Sequence, residues 1–154
     1  MKYGKVVLVA ILFAMLFYIG YTATDNARTV GKVATDVEAV MNTTELKEKG
    51  VNELGQYFDL SADAVDGFAI YESPKAGDVS ETLIIKAKDL GQLEDLRAAI
   101  RGRIDRQMAD TNYNEDQKTL LGNAVIRVRG KFLFFSVGGN AQSLAEAFDS
   151  SVRK

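Results

Sequence analysis

The chain has no cysteine and no histidine. Those absences remove disulfides, thiolate nucleophiles, Ser-His and Cys-His pairs, and the commonest transition-metal ligands. They also remove acylation at a mature N-terminal cysteine as a means of anchoring. Any metal site would have to be built from oxygen ligands for a hard ion. Proline occurs once, at Pro74. No surplus of positive charge follows the first segment. Beyond Lys2 and Lys5 the chain carries 17 basic against 21 acidic residues, a net of −4. Binding a nucleic-acid backbone requires cations to displace counterions, so nucleic acid is not an expected partner.

What is present suits one globular domain. The length is 154 residues, with 47% hydrophobic and 26% charged residues. That is a one-domain length with an ordinary globular composition. If the first two dozen residues are set aside, the remainder still suffices for a hydrophobic core without staples.

The first two dozen residues indicate the class. After Lys2 and Lys5 the stretch Val6 to Thr24 is uncharged and dense in Val, Leu, Ile, Phe and Met. As a helix it would span about 28 Å, close to the hydrocarbon thickness of a bilayer. Tyr18 and Tyr21 lie near one end, where amphipathic rings favour the interface, and the preceding lysines favour a cytoplasmic N-terminus. A cleaved signal peptide is the competing reading. However, cleavage after Ala23 or Ala27 would put Tyr21 or Asp25 at a position that prefers small residues. Either reading places the rest outside the cytoplasm. The expected organisation is a membrane anchor over 1–24, a tether over 25–32 and an extracytoplasmic domain over 33–154.

Val30, Val33, Val37, Val40 and Met41 recur at helical spacing. Asn42 and Glu45 are spaced as N-cap and N3 of a second helix through Leu46, which Gly50 and Gly55 weaken, so that it reads as one helix or two short pieces ending near Phe58. The period then changes to two: Phe68 and Ile70 alternate with Ala69 and Tyr71, and Leu83, Ile85 and Ala87 with Thr82, Ile84, Lys86 and Lys88. A helix over about Leu90 to Thr111 presents Leu93, Leu96, Ile100, Ile104 and Met108 inward, with Glu94, Arg97, Arg101, Asp105 and Arg106 outward. Tyr113 to Leu121 reads as a connector. Ile126 and Val128, a turn at Gly130 and the run Phe132 to Val137 predict a hairpin. Gly138-Gly139-Asn140 stops it before a last helix carrying Leu144, Phe148 and Val152. The order β-β-α-β-β-α predicts an α+β domain with a four-stranded, mainly antiparallel sheet and helices on one face.

The runs FDLSADAVDGFAIYES, ETLIIKAKDLGQLEDLRAAIRGRIDRQ and NYNEDQKTLLGNAVIRVRGKFLFFSV carry a resemblance. They resemble a bacterial family known as a domain of unknown function, number forty-three fifty-eight, over roughly Leu54 to Phe148. The shared features are core patterns, a connector at Tyr113 and a hairpin at Gly130, and none is a catalytic signature. The resemblance implies short extracytoplasmic proteins held by a lipoprotein cysteine or an N-terminal helix. This chain lacks the cysteine, so the helix is left as the anchor. The implied setting is the bacterial cell envelope, with no implied activity.

Five groups of residues are candidate sites. Arg97, Arg101, Arg103 and Arg106, with Arg127 and Arg129, would form an anionic-partner surface; the alternative is a solvated face with Arg101–Asp105 and Arg106–Asp110 pairs. Phe132, Phe134 and Phe135, with Leu133 and Val137, make a strand apolar on both faces. Its second face needs a cover from the helix near Val33 to Met41 or from a partner protein. Asp59, Asp63 and Asp66 lack the spacing of a calcium loop. The run SVGGN has no neighbouring basic residue in sequence to make it a phosphate cradle, and Asn42-Thr43-Thr44 matches a glycosylation acceptor of little meaning in a bacterium. The expectation is therefore a non-enzymatic module without cofactor, binding a protein or envelope component. The alternatives are a small-molecule or lipid sensor and a carboxylate-based hydrolase.

Overall fold

The computed structural model describes residues 28–154. The apolar segment Val6 to Thr24 and the first part of the expected tether lie outside the described residues. Among the described residues no helix is long and apolar enough to cross a membrane.

Helix α1 (Val30–Glu38) starts inside the stretch read as tether, where the Thr29 hydroxyl accepts from the Lys32 N–H at its N-cap. Val30, Val33, Val37 and Met41 face inward as the periodicity predicts. Val40 does not: the helix has ended before it, and it is 54% exposed. The second helix also departs from expectation. Asn42 caps no helix, because its Oδ1 accepts from Thr44 N–H and Oγ1 in a local turn. A short strand β1 (Lys47–Lys49) follows, and only then α2 (Val51–Phe58), whose start is closed by Glu53 accepting from the Gly50 N–H at 3.0 Å. Asp59 ends α2 in the left-handed conformation (φ 55°), a position where a short polar side chain is tolerated.

Strands β2 (Gly67–Glu72) and β3 (Glu81–Lys86) form the first antiparallel pair, and β4 (Val125–Arg129) and β5 (Phe132–Val137) form the hairpin. The hairpin turns at Gly130 with φ 54°, a conformation natural to glycine. Helix α3 (Leu93–Ala109) is shorter than expected, and Met108 is exposed while Gln107 takes the inward position. The connector after Tyr113 contains a true helix, α4 (Glu115–Gly122), capped by the Asn114 side chain. Helix α5 (Ala141–Val152) closes the chain with Leu144, Phe148 and Val152 buried.

The sheet has five strands, in the order β1-β2-β3-β5-β4, all antiparallel. Both faces are covered, which corrects the expectation of four strands with helices on one side. On one face α1 and α5 pack on Tyr71, Ile84, Phe132 and Phe134; on the other, α2, α3 and α4 pack on Ile70, Leu83, Ile85, Leu133 and Phe135. Two-sided cover explains why β3 and β5 are buried along their whole length. Helix α1 lies so close to the sheet that a Cβ on Gly67 would meet Val30 Cγ2 at 2.9 Å. An ionic knot joins the ends of this layer: Asp36 Oδ2 accepts from Ser151 Oγ (2.7 Å), Arg28 (3.1 Å) and Lys154 (3.2 Å). The Ser151 and Lys154 bonds hold the Asp36 carboxyl below its ordinary range.

Candidate functional site

The arginines do not form one surface. Arg97 and Arg101 lie on α3, where Arg97 pairs loosely with Glu94 (3.7 Å) and Arg101 is exposed. Neither expected i,i+4 pair forms. Arg106 donates instead to the Tyr57 carbonyl, and Arg103 turns inward. Arg127 and Arg129 sit on the opposite side of the sheet and clasp Asp149 of α5. They also donate back to the carbonyls of Ile126 (3.3 Å) and Val128 (2.9 Å). Alternate residues of an antiparallel edge strand turn their backbone groups outward, so these bonds occupy the open edge of β4.

Phe132 and Phe134 are fully buried beneath α1 and α5, so they are core and not a partner surface. Phe134 stacks on Phe148 at 5.1 Å. Asp59, Asp63 and Asp66 do not converge: Asp59 caps α2, the Asp63 carbonyl accepts from Lys88, and Asp66 pairs with Lys86 at 3.5 Å. Among the described residues no group of three or more His, Cys, Asp or Glu side chains could hold a metal ion.

The concentration of buried polar chemistry lies elsewhere, at the end of the sheet where β2 passes into β3. Glu72 and Glu81 are directly paired across the two strands, and both project toward α2 and α3. Two carboxylates side by side repel, and each is held by its own cation. Lys49 meets Glu72 at 3.2 Å, and Arg103 grips both oxygens of Glu81 with three bonds of 2.7–3.0 Å. Tyr57 links the two, its hydroxyl donating to Glu72 at 3.1 Å while its ring lies 3.7 Å from the Arg103 guanidinium. Glu81 is 2% exposed. Burial pushes its carboxyl above the ordinary value against the opposing pull of Arg103. Burial, with Glu72 beside it, pushes the Tyr57 hydroxyl up to about 12.

This network forms one wall of a cleft of about 270 Å³, bounded opposite by the loop from Ser73 to Ser80 and by Tyr113. Gln107 lies within it. Its side chain is 6% exposed, yet the amide Oε1 is buried without a hydrogen-bond partner. An orphaned buried polar group costs about 1–3 kcal/mol, and such groups are rare in native folds. The pattern in the chain gave no hint of this. Gln107 lies one residue before Met108 on a helix whose apolar stripe pointed to Met108, and the Glu72–Glu81 pairing exists only through strand register.

A second cleft of about 460 Å³ opens on the other flank of the same loop, lined by Asn42, Glu45, Gly139 and Asn140. The SVGGN turn therefore does have a basic neighbour, Lys75, brought by a loop distant in sequence. Glu45 and Asp78 share that cleft, so it is not electropositive.

Residues 38–138 match the family described as Domain of unknown function (DUF4358). That span contains every residue of the α3 cleft. No curated protein and no solved structure matches the chain.

Proposed function

The chain belongs to the DUF4358 family, a domain of unknown function, and from that premise we propose that it is a non-enzymatic binding module. It is held at the outer face of a membrane by its N-terminal apolar segment and takes a polar envelope component in the α3 cleft. The observation that carries this reading is Gln107: a residue 6% exposed that lines a cleft walled by other polar groups and whose amide Oε1 has no hydrogen-bond partner. Binding sites retain polar groups whose bonds are completed by a ligand, at a cost in stability.

The carboxylates favour binding over hydrolysis. A carboxylate-based hydrolase needs one acid free to give a proton and another free to act as base or nucleophile. Glu81 is saturated by Arg103, and Glu72 is engaged by Lys49 and Tyr57. The network is a rigid wall whose charges cancel in pairs.

The test is co-sedimentation of the full chain, in detergent micelles, with insoluble bacterial cell-wall polymer. Retention of the parent, reduced at least about tenfold in Gln107→Met, supports the reading, as does release of no soluble fragments above a protein-free control. Equal retention of parent and variant would remove the cleft from the function. Fragment release would replace binding with hydrolysis.

A further inference from the structure

The loop between β2 and β3 is a self-bonded ridge. Ser73 N–H donates to the Ser80 carbonyl at 2.9 Å, Ser80 N–H to Asp78 Oδ1 at 2.9 Å, and Asp78 N–H to the Lys75 carbonyl at 3.2 Å. Although burial works against it, bonds from Ser80 and Ser73 hold the Asp78 carboxyl below its ordinary range, so it stays an acceptor. Pro74 stiffens the ascent of the ridge. Lys75, Asp78 and Ser80 line both clefts, one on each flank. The two clefts thus share this ridge.

Resting on the reading of the α3 cleft as a binding site, we propose that the two clefts act as one groove, taking across the ridge an extended, uncharged, hydroxyl-rich chain bearing amide groups: an N-acetylated glycan strand. Three observations select that chemistry. The charges along the groove cancel or fall slightly negative, since Arg103 is consumed by Glu81, Lys75 faces Asp78, and Glu45 remains. A phosphate-rich polymer would meet no net attraction there. The Gln107 Oε1 lacks a hydrogen-bond partner, and a hydroxyl both donates and accepts, so it can complete that bond. On the far flank Asn140 stands at the start of α5 without making a side-chain cap bond, and Asn42 uses only its oxygen, on Thr44. Both therefore have amide capacity for acetamido groups. The half-buried Tyr113 lines the near flank, and an aromatic side chain is a surface on which a sugar ring packs.

The experiment is calorimetric titration of the full chain in detergent micelles with soluble β-1,4-linked N-acetylglucosamine oligomers, a disaccharide and a hexasaccharide. A short wall peptide is run in parallel. The hexasaccharide is expected to bind about tenfold tighter than the disaccharide. Gln107→Met should weaken both, and Asn140→Ala, checked for folding by circular dichroism, should weaken the hexasaccharide alone. Equal affinity for both sugars with indifference to Asn140→Ala would overturn the extended groove while leaving the α3 cleft reading in place. Binding of the peptide in place of the sugars would overturn the glycan. So would failure of every oligomer while the wall polymer still retains the chain through Gln107. Loss of both kinds of binding would sink the glycan and the binding-module reading together.

Discussion

Replacing Gln107 by methionine should make the protein more stable. The side chains are similar in length and volume, so the substitution leaves neither a large hole nor a clash. What changes is the orphaned amide atom, which costs about 1–3 kcal/mol while it stays buried and unpaired. Taken at the low end of that range, the net gain is about 1 kcal/mol. For a domain of this size that raises Tm by about 4 °C. Thermal melts of parent and variant, followed by near-ultraviolet circular dichroism in the same detergent, provide the assay. A variant that melts several degrees below the parent would show that Gln107 is a structural residue with satisfied bonds, and the argument for the cleft would lose its main support. A gain in stability with a loss of wall-polymer retention is the joint signature of a group kept for binding.

Three further outcomes follow from the same geometry. Arg103→Met should destabilise by about 3–5 kcal/mol because it strands a buried carboxylate, and adding Glu81→Gln should recover most of the loss in urea denaturation. With Arg103 gone, burial and the neighbouring Glu72 raise the folded-state value of Glu81 unopposed. The single variant should therefore be least impaired at acid pH, below the unfolded carboxyl value, and lose stability as pH rises through the raised one; additive losses or a flat pH profile would contradict this. In alkaline absorbance titration one tyrosine should ionise near 12 and vanish in Tyr57→Phe; since the folded value exceeds the unfolded 10.0, this contribution to stability is full below pH 10 and lost as pH rises through 12. Arg127→Ala with Arg129→Ala uncovers the Ile126 and Val128 carbonyls on the open edge of β4. Self-association by sedimentation velocity is expected, and a strictly unchanged species would mean that the arginines do not guard the edge.

Local pattern was enough for much of this fold. The period-two runs at Phe68–Tyr71 and Leu83–Ile85, the Gly130 hairpin and the stripes of α1 and α5 each declare themselves within a few residues, because burial on one side of an element writes its own period. β1 escaped notice because Lys47-Glu48-Lys49 is wholly charged; it is a strand only through its bonds to Ile70, Tyr71 and Glu72. The doubly apolar run Phe132–Val137 stated that two faces needed cover, but only tertiary structure could show α1 and α5 on Phe132 and Phe134 and α2 to α4 on Leu133 and Phe135.

The functional reading divides in the same way. Sequence alone determined the family, the absence of cysteine and histidine chemistry, and the acidic balance beyond the first segment. Those are properties of composition and local order and need no partner residue to exist. Tertiary structure alone decided that Arg103 is spent on Glu81, that Phe132 and Phe134 are core, that Lys75 and Gly139 line one cleft, and that Gln107, lining the other, holds an unpaired amide oxygen. Each of these depends on groups far apart in the chain being brought together in space. Electrostatic and hydrogen-bond energies act over a few ångströms of space, whatever the separation along the sequence.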